Sequence, residues 1–187
     1  LRFSVGRIDG SLYSDMRLVD LRVYDLDGLL VQVPQARLDW RPWNWARGTL
    51  DIRRVEAARA TLFHVPHTRR TGRQTPILPD FDIRIDRLRL DRLVFAPRVL
   101  GRERVAKVDG RADIRDGRAV IALDGAVAGT DRLHLRLDAR PDHDRFDLAV
   151  EAQGGSDGVL AKAVGVRAPV SLSVAGVGRW SRWDGLA

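Results

Sequence analysis

A two-residue alternation that repeatedly changes phase constrains this chain more than any other feature. In Phe81–Phe95 (FDIRIDRLRLDRLVF), Phe81, Ile83 and Ile85 alternate with Asp82, Arg84 and Asp86. That is the spacing of a strand with one apolar and one charged face. The apolar set then shifts by one to Leu88 and Leu90, between Arg87, Arg89 and Asp91, and shifts again at Leu93. A one-residue slip throws the apolar side chains onto the wrong face unless an extra residue is absorbed. A β-bulge absorbs one, bending and twisting the strand as it does so. At about 3.3 Å per residue the stretch spans roughly 50 Å, against about 17–20 Å for an ordinary strand. A long, bent strand is predicted.

The same theme recurs along the chain. Phe3 and Val5 mark a short first strand, closed by Asp9-Gly10; Met16 and Leu18 give way to Leu21 and Val23; Asp27-Gly28 turns the chain. Leu29, Val31 and Val33 run to a break at Pro34, which lacks a ladder donor, and Ala36, Leu38 and Trp40 follow. Arg41–Gly48 reads as a single helical turn, with Pro42 near its start and Gly48 just past its end. Leu50 and Ile52 then shift to Val55 and on to Leu62. Bulges are therefore expected near Asp20, Pro34, Arg54 and Arg87. Residues 66–79 lack periodicity and are rich in proline, which predicts a mobile loop. After a turn at Pro97–Gly101 come strands carrying Val105, Val108, Ala112 and Ile114, then Val120 to Ala128, then Leu133, Leu135, Leu137 and Ala139, then Phe146, Leu148, Val150 and Ala152. Gly158–Val164 reads as a short helix with Gly165 at its C′ position, and Pro169 opens a last strand through Val170, Leu172 and Val174. About ten strands joined by tight turns, with two short helices, predict an all-β fold. It should be a long, curved antiparallel meander sheet, and residues 1–187 should form a single segment of it.

Composition narrows the function. The net charge of +7 is carried almost wholly by arginine, Lys107 and Lys162 being the only lysines. Arginine and aspartate interleave on outward strand positions, where opposite charges pair across neighbours, and no dense basic stripe with interleaved aromatics exists; nucleic acid is not an expected partner. Without cysteine there is neither a disulfide nor a thiolate metal site. No apolar run approaches the length of a membrane-spanning helix. A start at Leu1 and an end in mid-pattern suggest a segment cut from a longer repetitive protein. His64 and His67 flank Val65-Pro66, where solvated loop histidines are expected rather than metal ligands, and Asp142-His143-Asp144 reads as a polar turn. No nucleophile with its base and no glycine-rich phosphate loop is present, so the expectation is a non-enzyme without metal or cofactor. Trp40, Trp43 and Trp45, and separately Trp180 and Trp183, are expected to cap the ends of an apolar core, with contact to a bilayer interface as the alternative. Two short helices cannot cover some ten strands. Either the sheet curls on itself or something else occupies its apolar face.

Gly6–Leu62 carries a Gly-Ser-Leu turn (Gly10–Leu12), slipping strands split by Asp-Gly, Leu-Asp-Trp (Leu38–Trp40), a short helix and Arg-Gly-x-Leu (Arg47–Leu50). It resembles the segment after the membrane anchor in TamB proteins, the translocation and assembly module subunits of the AsmA-like, bridge-like lipid transfer superfamily. Ile85–Phe95 and Ala168–Gly176 fit the same family, and Arg69–Thr75 departs from it. The resemblance implies an inner-membrane-anchored, periplasm-spanning protein of Gram-negative bacteria whose curled, taco-like sheet forms an apolar groove. It implies phospholipid traffic between the two membranes, and outer-membrane protein assembly with a BamA-like barrel. The groove lining would then comprise Leu18, Leu21 and Val23; Val31, Val33 and Leu38; Leu50, Ile52 and Leu62; Phe81, Ile83, Ile85, Leu88 and Leu90; Leu133, Leu135 and Leu137; Phe146, Leu148 and Val150; and Leu172 and Val174. Phospholipid acyl chains are the expected ligand, and open sheet edges at Phe3–Ile8 and Val170–Val174 the expected route to self-association. The alternative reading is a chaperone-like scaffold that pairs with strands of client outer-membrane proteins by β-augmentation.

Overall fold

Each alternating run becomes a strand, and the strands assemble into one sheet. The computed structural model describes residues 2–64, 78, 80–127, 131–158, 160–161, 165–179 and 182–186. The strands are β1 (Arg2–Gly10), β2 (Asp15–Asp25), β3 (Gly28–Trp40), β4 (Thr49–Leu62), β5 (Asp82–Phe95), β6 (Arg104–Arg115), β7 (Arg118–Val127), β8 (Arg132–Arg140), β9 (Arg145–Gly154), β10 (Val170–Arg179) and β11 (Arg182–Leu186). They form a single eleven-stranded sheet whose spatial order is the sequence order. β1 and β11 are its two edges, so the sheet is open rather than closed into a barrel. The fold is an all-β meander, as expected. β11, which no apolar alternation announced, pairs with Ala175–Arg179, and among the described residues no strand pairs with Val170–Val174 along the outer side of β10.

One pairing departs from the antiparallel expectation: β4 and β5 run parallel, Leu50 opposite Ile83 and Leu62 opposite Phe95. A parallel neighbour needs a connection long enough to return the chain to the starting end, a dozen or more residues. Residues 63–81 supply it. The predicted mobile loop at 66–79 lies, Leu78 aside, outside the described residues.

The ladder register shifts at three of the four positions where a bulge is predicted; at Asp20 the register with β1 and β3 is kept, and the irregularity is one of backbone conformation. Asp20 adopts a left-handed conformation at φ 54°, which aspartate tolerates better than most residues. The ladder register shifts around Pro34 between Gln32 and Gln35, beside Arg53 and Arg54 at Asp39/Trp40, and around Arg87 between Ile85 and Leu88. The helical turn after β3 is a 3-10 turn, Pro42–Arg47, ended by Gly48 at φ 78°. At the late helix, Leu160 and Ala161 are helical and Gly165 has φ 75°. The Val166 N–H donates to the Ala161 carbonyl at 2.9 Å, the six-to-one bond of a Schellman end. Shorter helical pieces, Pro97–Leu100 and Pro141–His143, occupy two of the predicted turns.

Candidate functional site

Paired residues of neighbouring strands share a face, so the registers alone sort the side chains. Val108, Gly125, Leu133, Ala152 and Leu172 form one row across β6 to β10. The rows beside it hold Gly110, Leu123, Leu135, Val150 and Val174, and then Ala112, Ile121, Leu137, Leu148 and Gly176. Through β5 these rows continue into the first half of the sheet: Ile85 opposite Ile52, and Ile52 opposite Trp40. Leu88 lies opposite Val55, Val55 opposite Leu38, and Leu38 opposite Met16. Leu18, Leu21, Val23, Val31, Val33, Leu50, Leu62, Ile83, Leu90 and Phe146 fall on the same face through their own partners. The strand residues of the predicted lining therefore converge on one surface that runs across β2 to β10. Phe81, one residue ahead of β5, meets Trp45 edge-on at a centroid distance of 5.4 Å instead of joining a row.

Nothing in the described residues forms a second layer over this face, and each strand packs chiefly on its sheet neighbours. Among the described residues no large side chain is fully buried. The buried apolar residues are mostly alanines, with Met16, Leu30, Val33, Ile52 and Val94 beside them. Most leucines and isoleucines of the rows are half-buried, Ile85, Leu88, Ile121, Leu123, Leu135, Leu137 and Leu148 among them, while Leu133 and Leu172 are exposed.

The slips give the face its relief. Five consecutive strands take a three-residue step between apolar positions at the same level: Ile8 to Val5, Leu18 to Leu21, Ala36 to Val33, Ala57 to Ala60, and Leu90 to Leu93. β6 takes an ordinary step there, Val108 to Ala106, and the β5–β6 register shift closes the line. Aligned bulges bend the sheet along a crease instead of at isolated points. At the crease Val33, Ala36 and Ala60 form a small buried cluster against Leu18, Leu21, Leu90 and Leu93. A second step, Ile52 to Val55 beside Ile85 to Leu88, is shared by β4 and β5 alone.

The opposite face is charged and ion-paired. Arg84 pairs with Asp86 at 2.8 Å and Arg89 with Asp91 at 3.0 Å, and Arg118 reaches across to Asp138. The Arg118 hydrogen bond holds the Asp138 carboxyl below its ordinary range. Exposed pairs of this kind add little stability, and they keep the face wet. A shallow depression of 640 Å³ lies here, lined by Arg111, Asp113, Arg136 and Asp138 among others.

Of the histidines, His64 groups with the β2–β3 turn, and His67 lies outside the described residues. Ligand atoms of Asp25, Asp27 and His64 lie within 4.8 Å of one another. Asp25 Oδ1 accepts the Asp27 N–H at 2.9 Å, and His64 Nε2 stands 3.5 Å from it, so this carboxylate serves the turn. His134 pairs with Asp124 on the charged face. The tryptophans correct an expectation: Trp43 and Trp45 are 76% and 52% exposed and cap no core. Trp40 is half-buried, its Nε1–H donating to the Leu12 carbonyl at 3.0 Å. The side chains of Trp180 and Trp183 lie outside the described residues.

Fold and face together define a class: an open, single-layer β-sheet with one continuous apolar surface. No family model, curated protein or solved structure matches the chain.

Proposed function

We propose that the apolar face carries lipid acyl chains, as a segment of a periplasmic, TamB-like conduit between inner and outer membranes. One observation carries this reading: the apolar rows run unbroken across the sheet and no second protein layer covers them in the described residues. Water is a poor occupant for such a surface, and a flexible hydrocarbon chain fits a shallow, uneven one. Each CH₂ buried contributes about 0.8 kcal/mol, so a long chain fully enclosed would gain on the order of ten kcal/mol. Contact from one side captures only part of that, which suits lipid that must move on. The family resemblance of Gly6–Leu62 supplies the setting: an inner-membrane anchor, phospholipid as cargo, a BamA-like barrel as partner of the full-length protein, and no enzymatic step.

Photocrosslinkers at Leu90 and Leu135 should capture phospholipid, while those at Arg84 and Arg136 on the charged face should not. Equal labelling of both faces, or extraction of the purified protein yielding no phospholipid by mass spectrometry, would reject the reading.

The open edges favour a second reading, capture of client strands by β-augmentation. β1 pairs only with β2 and holds Phe3 79% exposed. Under this reading a strand peptide protects β1 amides from hydrogen exchange and no lipid co-purifies.

A further inference from the structure

At one end of the sheet four chain segments bring aromatic side chains together. The β1–β2 turn presents Leu12 and Tyr13, the latter 70% exposed; β3 ends at Trp40; the 3-10 turn presents Trp43 and Trp45; and Phe81 precedes β5. Tyr13 stacks on Trp43 at 6.2 Å, and Trp45 meets Phe81 edge-on.

This shelf is held in place. Asp51, 4% exposed, accepts hydrogen bonds from Arg41 at 3.0 Å and Asn44 at 2.6 Å, which ties the 3-10 turn to β4. Backbone bonds from Trp40 to Ser14 and from Asp82 to Gly48 fix the adjoining segments. Large apolar rings fixed outward on a braced turn invite a partner.

We infer that this aromatic shelf seats the chain on the headgroup region of a lipid bilayer, at the mouth of the apolar face. Three features select a bilayer. The exposed rings are indole and phenol, whose apolar bodies and polar tips suit the interfacial zone. Nearby carboxylates are neutralised: Asp15 by Arg37, Asp39 by Arg53 and Asp51 by Arg41. Exposed Arg47, in no ion pair among the described residues, is left to meet lipid phosphate, and Asp80 ahead of Phe81 is exposed as well. The shelf also meets the apolar face at Trp40, which stands opposite Ile52 in its rows. A lipid leaving the bilayer beside these rings would meet the rows without crossing charge. The inference rests on the lipid-carrying reading for its direction, and its test is separate.

The 187-residue chain is floated with large vesicles of phosphatidylcholine and phosphatidylglycerol, and tryptophan emission is read with brominated lipids. The parent should float and its emission should be quenched by shallow bromines. W43A/W45A should lower partitioning at least about tenfold at unchanged far-UV circular dichroism, while W43F/W45F should retain most of it. If the double variant folds poorly, Trp43→Ser, at the most exposed ring, takes its place with the same expected direction. A parent that does not float, a variant that floats like the parent, or a shelf-dependent dimer in sedimentation overturns the inference. Crosslinking of detergent-dispersed phospholipid at Leu90 reports on the groove alone. It should survive W43A/W45A, so failure of the shelf and failure of the groove give different results.

Discussion

Asp51 shows one side chain positioning several others. Burial by itself would raise its pKa, but hydrogen bonds from Arg41 and Asn44, with the nearby Arg41 and Arg84 charges, outweigh that and hold it below the ordinary carboxylate value. A carboxyl depressed in the folded state stabilises the fold fully above the unfolded value, near pH 4, and loses that contribution as pH falls through its own lower value. Acid titration should therefore release the 3-10 turn at a pH below 4, seen as a change in tryptophan emission. Asp51→Asn should abolish that step and lower unfolding stability in urea by about 1 kcal/mol, the low end for a buried partner because Arg41 is half exposed. Asp131 is a further buried carboxylate, lodged where Gly154 and Gly158 leave room: a Cβ at Gly158 would overlap it. Gly158→Ala should cost about 1–3 kcal/mol, as overpacking does. The cost should shrink in an Asp131→Ala background, a coupling that a double-mutant cycle in urea measures.

Among the elements, β1 to β5 share the crease, and β2 makes its step at Asp20. Asp20 occupies its left-handed position while accepting hydrogen bonds from Arg22 and Gln32. A β-branched side chain is disfavoured there, so Asp20→Val should lower the urea midpoint while Asp20→Asn leaves it nearly unchanged. β1 is an unprotected edge with an apolar side chain at full reach of solvent, and such edges template pairing with another chain. Phe3→Lys should weaken concentration-dependent self-association in sedimentation velocity without lowering monomer stability. A wild-type chain that stays monomeric at millimolar concentration would count against open edges.

At the scale of the molecule, a single-layer sheet distributes its apolar contacts thinly, so the cost of a charge should depend on place. Val33, 9% exposed in the crease cluster, should respond to aspartate as a core residue and unfold the chain. Leu135, half-buried in an open row, should tolerate aspartate at about 1–2 kcal/mol and yet lose phospholipid capture. Chemical denaturation and crosslinking of the two variants separate a lining from a core. If Leu135→Asp also unfolds the chain, these rows are an ordinary core and the groove reading fails.

The face of nearly every strand side chain was legible in the sequence, because a period of two couples face to register and each slip demands a bulge. Pro34, Arg54 and Arg87 were found that way, and Asp20 proved a left-handed residue within an unshifted register. The direction of β5 was not legible. Apolar positions Leu50, Ile52, Val55, Ala57, Ala60 and Leu62 step by two, three, two, three and two, and Ile83 to Phe95 step identically, so the pattern reads alike in both directions. Only the long return between the two strands makes them parallel. The aromatic shelf was hidden for a related reason: Arg41–Gly48 has the same local signature whether its tryptophans cap a core or face outward. That choice depends on whether another layer arrives to cover them, which is a property of the assembled sheet and of no segment within it.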